Sequence, residues 1–147
     1  MIWCDNCFNC FIASNLGLMK NQVKKQVIVI EDDEAINDIL TIMLTNSGYS
    51  VSSVRIGEYF PDQNATKPDL FLIDRNLPGI NGIEICKQIK SEPGTRDIPV
   101  IMISASAGFV EPAKAAGADA CIEKPFSRRE LFDTIDHYIN RTNSFFD

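Results

Sequence analysis

The stretch Val27-Ile28-Val29-Ile30-Glu31-Asp32-Asp33-Glu34 decides how this chain folds. Four consecutive β-branched residues make a strand that is apolar on both faces, and such a strand belongs inside a sheet covered on both sides. The run stops abruptly at four acids. Asp33 is placed to cap a helix, and Ala35, Ile36, Ile39, Leu40 and Met43 then recur at helical spacing until Ser47-Gly48 closes the element. The first unit is therefore strand, acidic junction, helix.

The same unit recurs downstream. Tyr49 to Val54 alternates as a second strand, Ile56 to Phe60 begins a short helix cut off by Pro61, and Asp62 to Pro68 is polar loop. Leu70-Phe71-Leu72-Ile73 is a third strand that runs into Asp74, and Leu77-Pro78-Gly79-Ile80-Asn81-Gly82 is turn chemistry. Ile83, Cys86 and Ile89 mark the core face of a helix ending near Ser91, where Pro93-Gly94 enforces the stop. Val100 to Ile103 is a fourth strand ending at Ser104, and a short helix over Val110 to Ala116 stops at Gly117. Ala120-Cys121-Ile122 is a brief fifth strand ending at Glu123-Lys124-Pro125. Ser127 caps a last helix with Leu131, Phe132, Ile135 and Ile139 toward the core. Strict alternation of strand and helix predicts an α/β domain with a parallel sheet, helices on both faces and right-handed crossovers.

At 147 residues the chain suits one domain. We expect an N-terminal extension over 1–22 that is disordered or not native, a folded domain over 23–141 and a short tail over 142–147. A net charge of −6 with no basic run argues against nucleic acid as a partner. No apolar stretch approaches the roughly 20 residues that span a bilayer, and Phe8 to Met19 is a poor signal peptide, so the expected location is the cytoplasm. Cys4, Cys7 and Cys10 have the spacing of iron–sulfur or zinc ligands but lack a nearby fourth ligand. An over-extended start ahead of Met19 explains that segment as well.

In open parallel sheets the ligand lies beyond the carboxyl ends of the strands, where strand order reverses. The residues there are Glu31 and Asp32, Asp74, Ser104 and Lys124. Singly, each has an ordinary structural reading: a solvated helix start, a turn-forming Asp, a strand-terminal hydroxyl, a surface lysine. Together they place three carboxylates at one edge, where repulsion calls for a hard cation that takes oxygen ligands. A carboxylate nucleophile, a metal and a cationic clamp describe an aspartyl-phosphate site.

The series from Val29-Ile30-Glu31-Asp32-Asp33 through Leu72-Ile73-Asp74-Arg75-Asn76-Leu77-Pro78-Gly79-Ile80-Asn81-Gly82 and Ile98 to Ala105, then Gly117-Ala118-Asp119 and Glu123-Lys124-Pro125-Phe126, resembles a response-regulator receiver domain. The resemblance runs from about Val27 to about Ile139. It implies a doubly wound, flavodoxin-like sheet of five strands in the order 2-1-3-4-5. It further implies that Glu31, Asp32, Asp74 and the carbonyl of Asn76 hold Mg²⁺, and that Asp74 becomes a 4-aspartylphosphate. The donor would be a histidine kinase or histidine phosphotransfer protein. Ser104 and Lys124 would contact the phosphoryl oxygens, Asn76 and Ser106 would flank the path of hydrolytic water, and the peptide before Pro125 would be cis.

The expected protein is a stand-alone receiver that signals through an unidentified downstream protein, with neither a nucleic-acid nor a membrane partner and with homodimerisation left open. It is not an enzyme beyond Mg²⁺-dependent self-phosphorylation and autodephosphorylation. One position departs from the pattern: Cys121 stands where the resemblance calls for a switch Tyr or Phe that moves with Ser104. That keeps alive a pseudo-receiver that binds a partner without phosphorylation. A phosphohydrolase with an aspartyl-phosphate intermediate is a further alternative, against which Asn76 stands where a second acid is usual. Cys121 and Cys86 read as small core residues, and His137 as surface.

Overall fold

A computed structural model describes residues 23–54 and 67–141. The expected helix at Ile56 to Phe60, the cysteine-rich N-terminal segment and the C-terminal tail lie outside the described residues. Within them the chain runs β1 (Gln26–Ile30), α1 (Glu34–Asn46), β2 (Ser50–Val54), β3 (Leu70–Asp74), β4 (Asn76–Leu77), β5 (Ile80–Asn81), α2 (Gly82–Ser91), β6 (Val100–Ser104), α3 (Val110–Ala115), β7 (Ala120–Glu123) and α4 (Arg128–Arg141).

Five strands form one sheet in the order β2-β1-β3-β6-β7, and every pair is parallel. Counting those five along the chain gives 2-1-3-4-5, as expected. The central strand β3 and its neighbour β6 are buried at every position. β2, at the edge, carries three serines and is only half-covered.

Side chains alternate between the two faces. Leu70 and Leu72 join Ile101 and Ile103 in a core with Leu40 and Leu44 of α1 and Leu131, Ile135 and Ile139 of α4. Phe71 and Ile73 join Val100 and Met102 in the opposite core with Cys86 and Ile89 of α2 and Phe109 and Ala113 beside α3. Each large aliphatic or aromatic side chain so buried is worth about 1.5–3 kcal/mol of transfer free energy.

The local signals at the helix starts hold. Asp33 accepts from the Ile36 amide at 3.0 Å, Asn81 from Ile83 at 3.0 Å, and Ser127 Oγ from Glu130 at 3.1 Å. Two sequence expectations need correction. The inward line of α1 is Ile36, Leu40 and Leu44, whereas Ile39 is 57% and Ile42 59% exposed. The helix carries more apolar positions than its contact with the sheet covers, so spacing alone puts Ile39 on the wrong side. The Leu77 to Gly82 turn is also more than a turn: β4 and β5 pair antiparallel around Pro78-Gly79, with Gly79 at φ +80°. Pro followed by a left-handed Gly is the sequence of a type II turn.

Candidate functional site

Glu31 follows β1, Asp74 ends β3, Ser104 ends β6 and Lys124 follows β7, so the order of strands in the sheet brings all four to one edge. Glu31 is 4% exposed, Asp74 6% and Ser104 0%. Lys124 Nζ lies 3.1 Å from Glu31 Oε2 and 3.0 Å from Asp74 Oδ1. One ammonium therefore faces two buried carboxylates. The second Glu31 oxygen accepts from the Asp33 amide at 3.2 Å, and Asp74 Oδ2 accepts from the Asn76 amide at 3.0 Å. Asp74 Oδ1 is different: the lysine reaches it as an ion pair outside hydrogen-bond geometry, and among the described residues it is the buried side-chain oxygen with no hydrogen-bond partner.

Burial pushes the Glu31 carboxyl above its ordinary range, and nearby Asp74 adds to this, although the hydrogen bond from Lys124 pulls the other way. For Lys124 burial pulls downward, yet the two carboxylates together outweigh it and hold the ammonium above its usual value. The two shifts agree physically. One cation is firmly charged by two anions, while two anions sharing it leave Glu31 undercompensated.

The buried pair with one lysine carries a net negative charge, and exposed Asp32 adjoins it. That donor set, together with an Asp74 oxygen that Lys124 reaches only as an ion pair, fits a hard divalent cation. Among the described residues no three His, Cys, Asp or Glu side chains form a ready-made cage. Mg²⁺ rarely needs one, since it keeps several waters and takes one or two carboxylates plus phosphate oxygens. An open cleft of about 680 Å³, lined by Asp32, Arg75, Asn76 and the β4–β5 hairpin, leaves room beside these groups.

Ser104 Oγ accepts from the Ser106 amide at 3.0 Å, which leaves its own proton available. The Asn76 side-chain amide donates to Ser106 Oγ at 3.2 Å, so the two residues read as flanking the site meet across it. The Lys124–Pro125 peptide is cis.

Over residues 27–136 the sequence matches the response regulator receiver domain family. The chain belongs to that family. A phosphate regulon transcriptional regulatory protein PhoB from Rhizobium meliloti is 33% identical over 79% of this receiver and 52% of its own length. The protein of that name from Escherichia coli is 34% identical over 80% and 52%. This receiver thus spans about half the length of the curated relatives it matches. A putative response regulator from Chloroflexus aurantiacus superposes with a TM-score of 0.72 at 27% identity, covering 80% of this chain and 98% of that one. The receiver domain of the sensor histidine kinase PA1611 from Pseudomonas aeruginosa, with a magnesium ion in its active-site cleft, gives 0.69 at 25% identity, covering 80% and 99%. Receiver domains of two-component systems take phosphoryl groups from histidine kinases. In the described residues no helix is long and apolar enough to cross a membrane.

Cys121 lies half-buried on β7 against the core that holds Cys86. Burial pushes the Cys86 thiol up to about 11 and raises that of Cys121, so both are protonated, poorly nucleophilic thiols at neutral pH. His137 is exposed on α4, with its ring edge-on to Tyr138.

One site residue was legible only as turn chemistry. A Cβ on Gly82 would sit 2.2 Å from the Asp74 carbonyl oxygen. Glycine at this position lets α2 begin directly against the backbone that carries Asp74, and the Gly82 amide donates to the Arg75 carbonyl at 2.9 Å. In the sequence it reads as the end of the Leu77 to Gly82 turn, directly after the Asn81 that caps α2.

Proposed function

We propose that Asp74 is the phosphoacceptor of this receiver, taking the group from a phosphohistidine on a histidine kinase or histidine phosphotransfer protein. The reading rests chiefly on Asp74 Oδ1, a buried carboxylate oxygen with no hydrogen-bond donor, facing an ammonium 3.0 Å away. In the transfer an Asp74 oxygen forms a bond to phosphorus while the phosphorus–nitrogen bond of the donor breaks. The imidazole leaves with the electron pair and takes a proton from solvent. Lys124 sets a fixed positive charge beside the arriving oxygens, and the Ser104 hydroxyl turns its free proton toward them. Glu31, Asp32, Asp74 and the Asn76 carbonyl would hold Mg²⁺, which when bound supplies charge against the phosphoryl oxygens. Asn76 and Ser106 stand where water must approach to remove the group, so they set its lifetime. Residues 23–141 form the phosphoaccepting unit, and the signal passes to a partner protein through movement of Ser104. Cys121 yields to that movement as a small side chain, without the ring that would otherwise report it.

Incubation with MgCl₂ and acetyl phosphate, followed by intact-mass measurement, tests the proposal. The expected result is a gain of one phosphoryl group that is absent in Asp74→Asn and after EDTA. Labelling that persists in Asp74→Asn, or no labelling of the wild-type protein by this donor or a phosphorylated histidine kinase, overturns it.

A further inference from the structure

Glu31 is held at three points, and one of them comes from a residue outside the strand ends. Its side chain is fixed by Lys124 and by the Asp33 amide, as above. Its main-chain carbonyl accepts from Asn37 Nδ2 at 2.9 Å. Asn37 lies one turn into α1, and its own amide donates to the Asp33 carbonyl at 2.9 Å. Its side-chain oxygen accepts from Thr41 Oγ1 at 3.3 Å and from Ser53 Oγ of β2. The orientation of this amide is settled by its partners. A carbonyl oxygen can only accept, so the NH₂ group must face Glu31, and the oxygen then faces two hydroxyls that can donate.

We infer that Asn37 is a positioning residue for the metal-binding turn, which it clamps between α1 and the end of β2. The inference rests on the Mg²⁺ site proposed above. Asp32 is exposed and makes no side-chain hydrogen bond or ion pair among the described residues; it sits between Glu31, whose carbonyl Asn37 holds, and Asp33, the cap of α1. Loss of the Asn37 bond removes the side-chain donor that holds the Glu31 carbonyl against α1. The Glu31–Asp32 peptide can then rotate, and the two carboxylates no longer present a common set of oxygens. Thr41 and Ser53 act one step further out, by keeping the Asn37 oxygen turned away from Glu31. Partners of this kind, which touch a ligand but not the metal, commonly carry a tenfold or greater share of metal affinity.

Calorimetric titration of MgCl₂ into the protein without phosphodonor separates positioning from simple stability. Asn37→Ala should weaken Mg²⁺ binding by about tenfold, and the Mg²⁺ concentration needed for half-maximal labelling by acetyl phosphate should rise by the same factor, with saturating Mg²⁺ restoring labelling. Ser53→Ala removes one hydroxyl but leaves the Asn37–Glu31 bond, so its Mg²⁺ affinity should stay within about twofold of wild type even where its unfolding midpoint drops. Equal Mg²⁺ affinity in Asn37→Ala and wild type overturns the inference. So does an affinity loss in Ser53→Ala as large as that in Asn37→Ala, because affinity would then merely follow stability. If the wild-type protein itself takes up no Mg²⁺, the proposed metal site fails and this inference with it.

Discussion

Replacing Gly82 by alanine tests whether the Asp74 backbone is held as tightly as the structure shows. In an ordinary helix the change is favourable by about 0.5–1 kcal/mol, because glycine loses more backbone freedom on folding. Here the new Cβ would lie 2.2 Å from the Asp74 carbonyl oxygen and 3.0 Å from Arg75 Cα. Contacts of this kind settle at about 3.5–4.0 Å, so the oxygen and the helix must part by more than roughly 1 Å. Neither is free to move. The Arg75 amide is bonded to the Ile103 carbonyl at 2.9 Å and the Gly82 amide to the Arg75 carbonyl at 2.9 Å. Overpacking of this type costs about 1–3 kcal/mol, which exceeds the propensity gain and leaves a net loss of about 1–2 kcal/mol. In urea, with a slope of about 2 kcal/mol/M, the midpoint should fall by roughly 0.5–1 M. Gly94→Ala is the control, since nothing lies within 4 Å of a Cβ there. Displacing the acceptor should also slow labelling by acetyl phosphate by about tenfold or more, because misplacement by an ångström is costly in a positioned reaction. If Gly82→Ala is as stable as Gly94→Ala, the close approach of α2 to the Asp74 backbone is wrong.

The charge balance at the site yields two more expectations. Because the folded-state pKa of Glu31 lies above its ordinary value, its protonated form favours the fold. Its contribution to stability is full below the usual carboxylate range and is lost as pH rises through the raised value. Glu31→Gln should therefore raise metal-free stability at pH 7 and flatten the decline between the ordinary and the raised value, while weakening Mg²⁺ binding. Urea midpoints measured from pH 4 to 8 without Mg²⁺ check this, and a less stable Glu31→Gln protein at pH 7 would contradict it. Lys124→Ala strips the cation from two buried carboxylates and should cost about 3 kcal/mol, at the low end for a broken buried pair because Lys124 keeps 21% of its side-chain exposure. Mg²⁺ should recover part of that loss, and thermal unfolding with and without MgCl₂ shows whether it does. Asp33→Ala removes the α1 cap and should cost about 1 kcal/mol, a smaller midpoint shift in the same urea experiment.

Much of the protein is determined by short-range features of the chain. Runs such as Val27 to Ile30 and Leu70 to Ile73 specify buried strands because four consecutive apolar residues leave no solvent face. Asp33 and Ser127 specify helix starts because the amides they satisfy lie three residues on. The placement of Glu31, Asp74, Ser104 and Lys124 at strand ends was legible too, since a local pattern marks each strand. Only the tertiary structure decided how those residues meet. Glu31 and Lys124 are 93 positions apart and meet across the ends of β3 and β6, which lie between their strands in the sheet, an order that periodicity does not encode. The buried side of α1 was set by what packs against it, which is why Ile39 faces solvent. Gly82 and Asn37 carry no sequence signal for their roles: one is defined by a carbonyl it must not touch, the other by a carbonyl it holds, and both belong to the folded backbone.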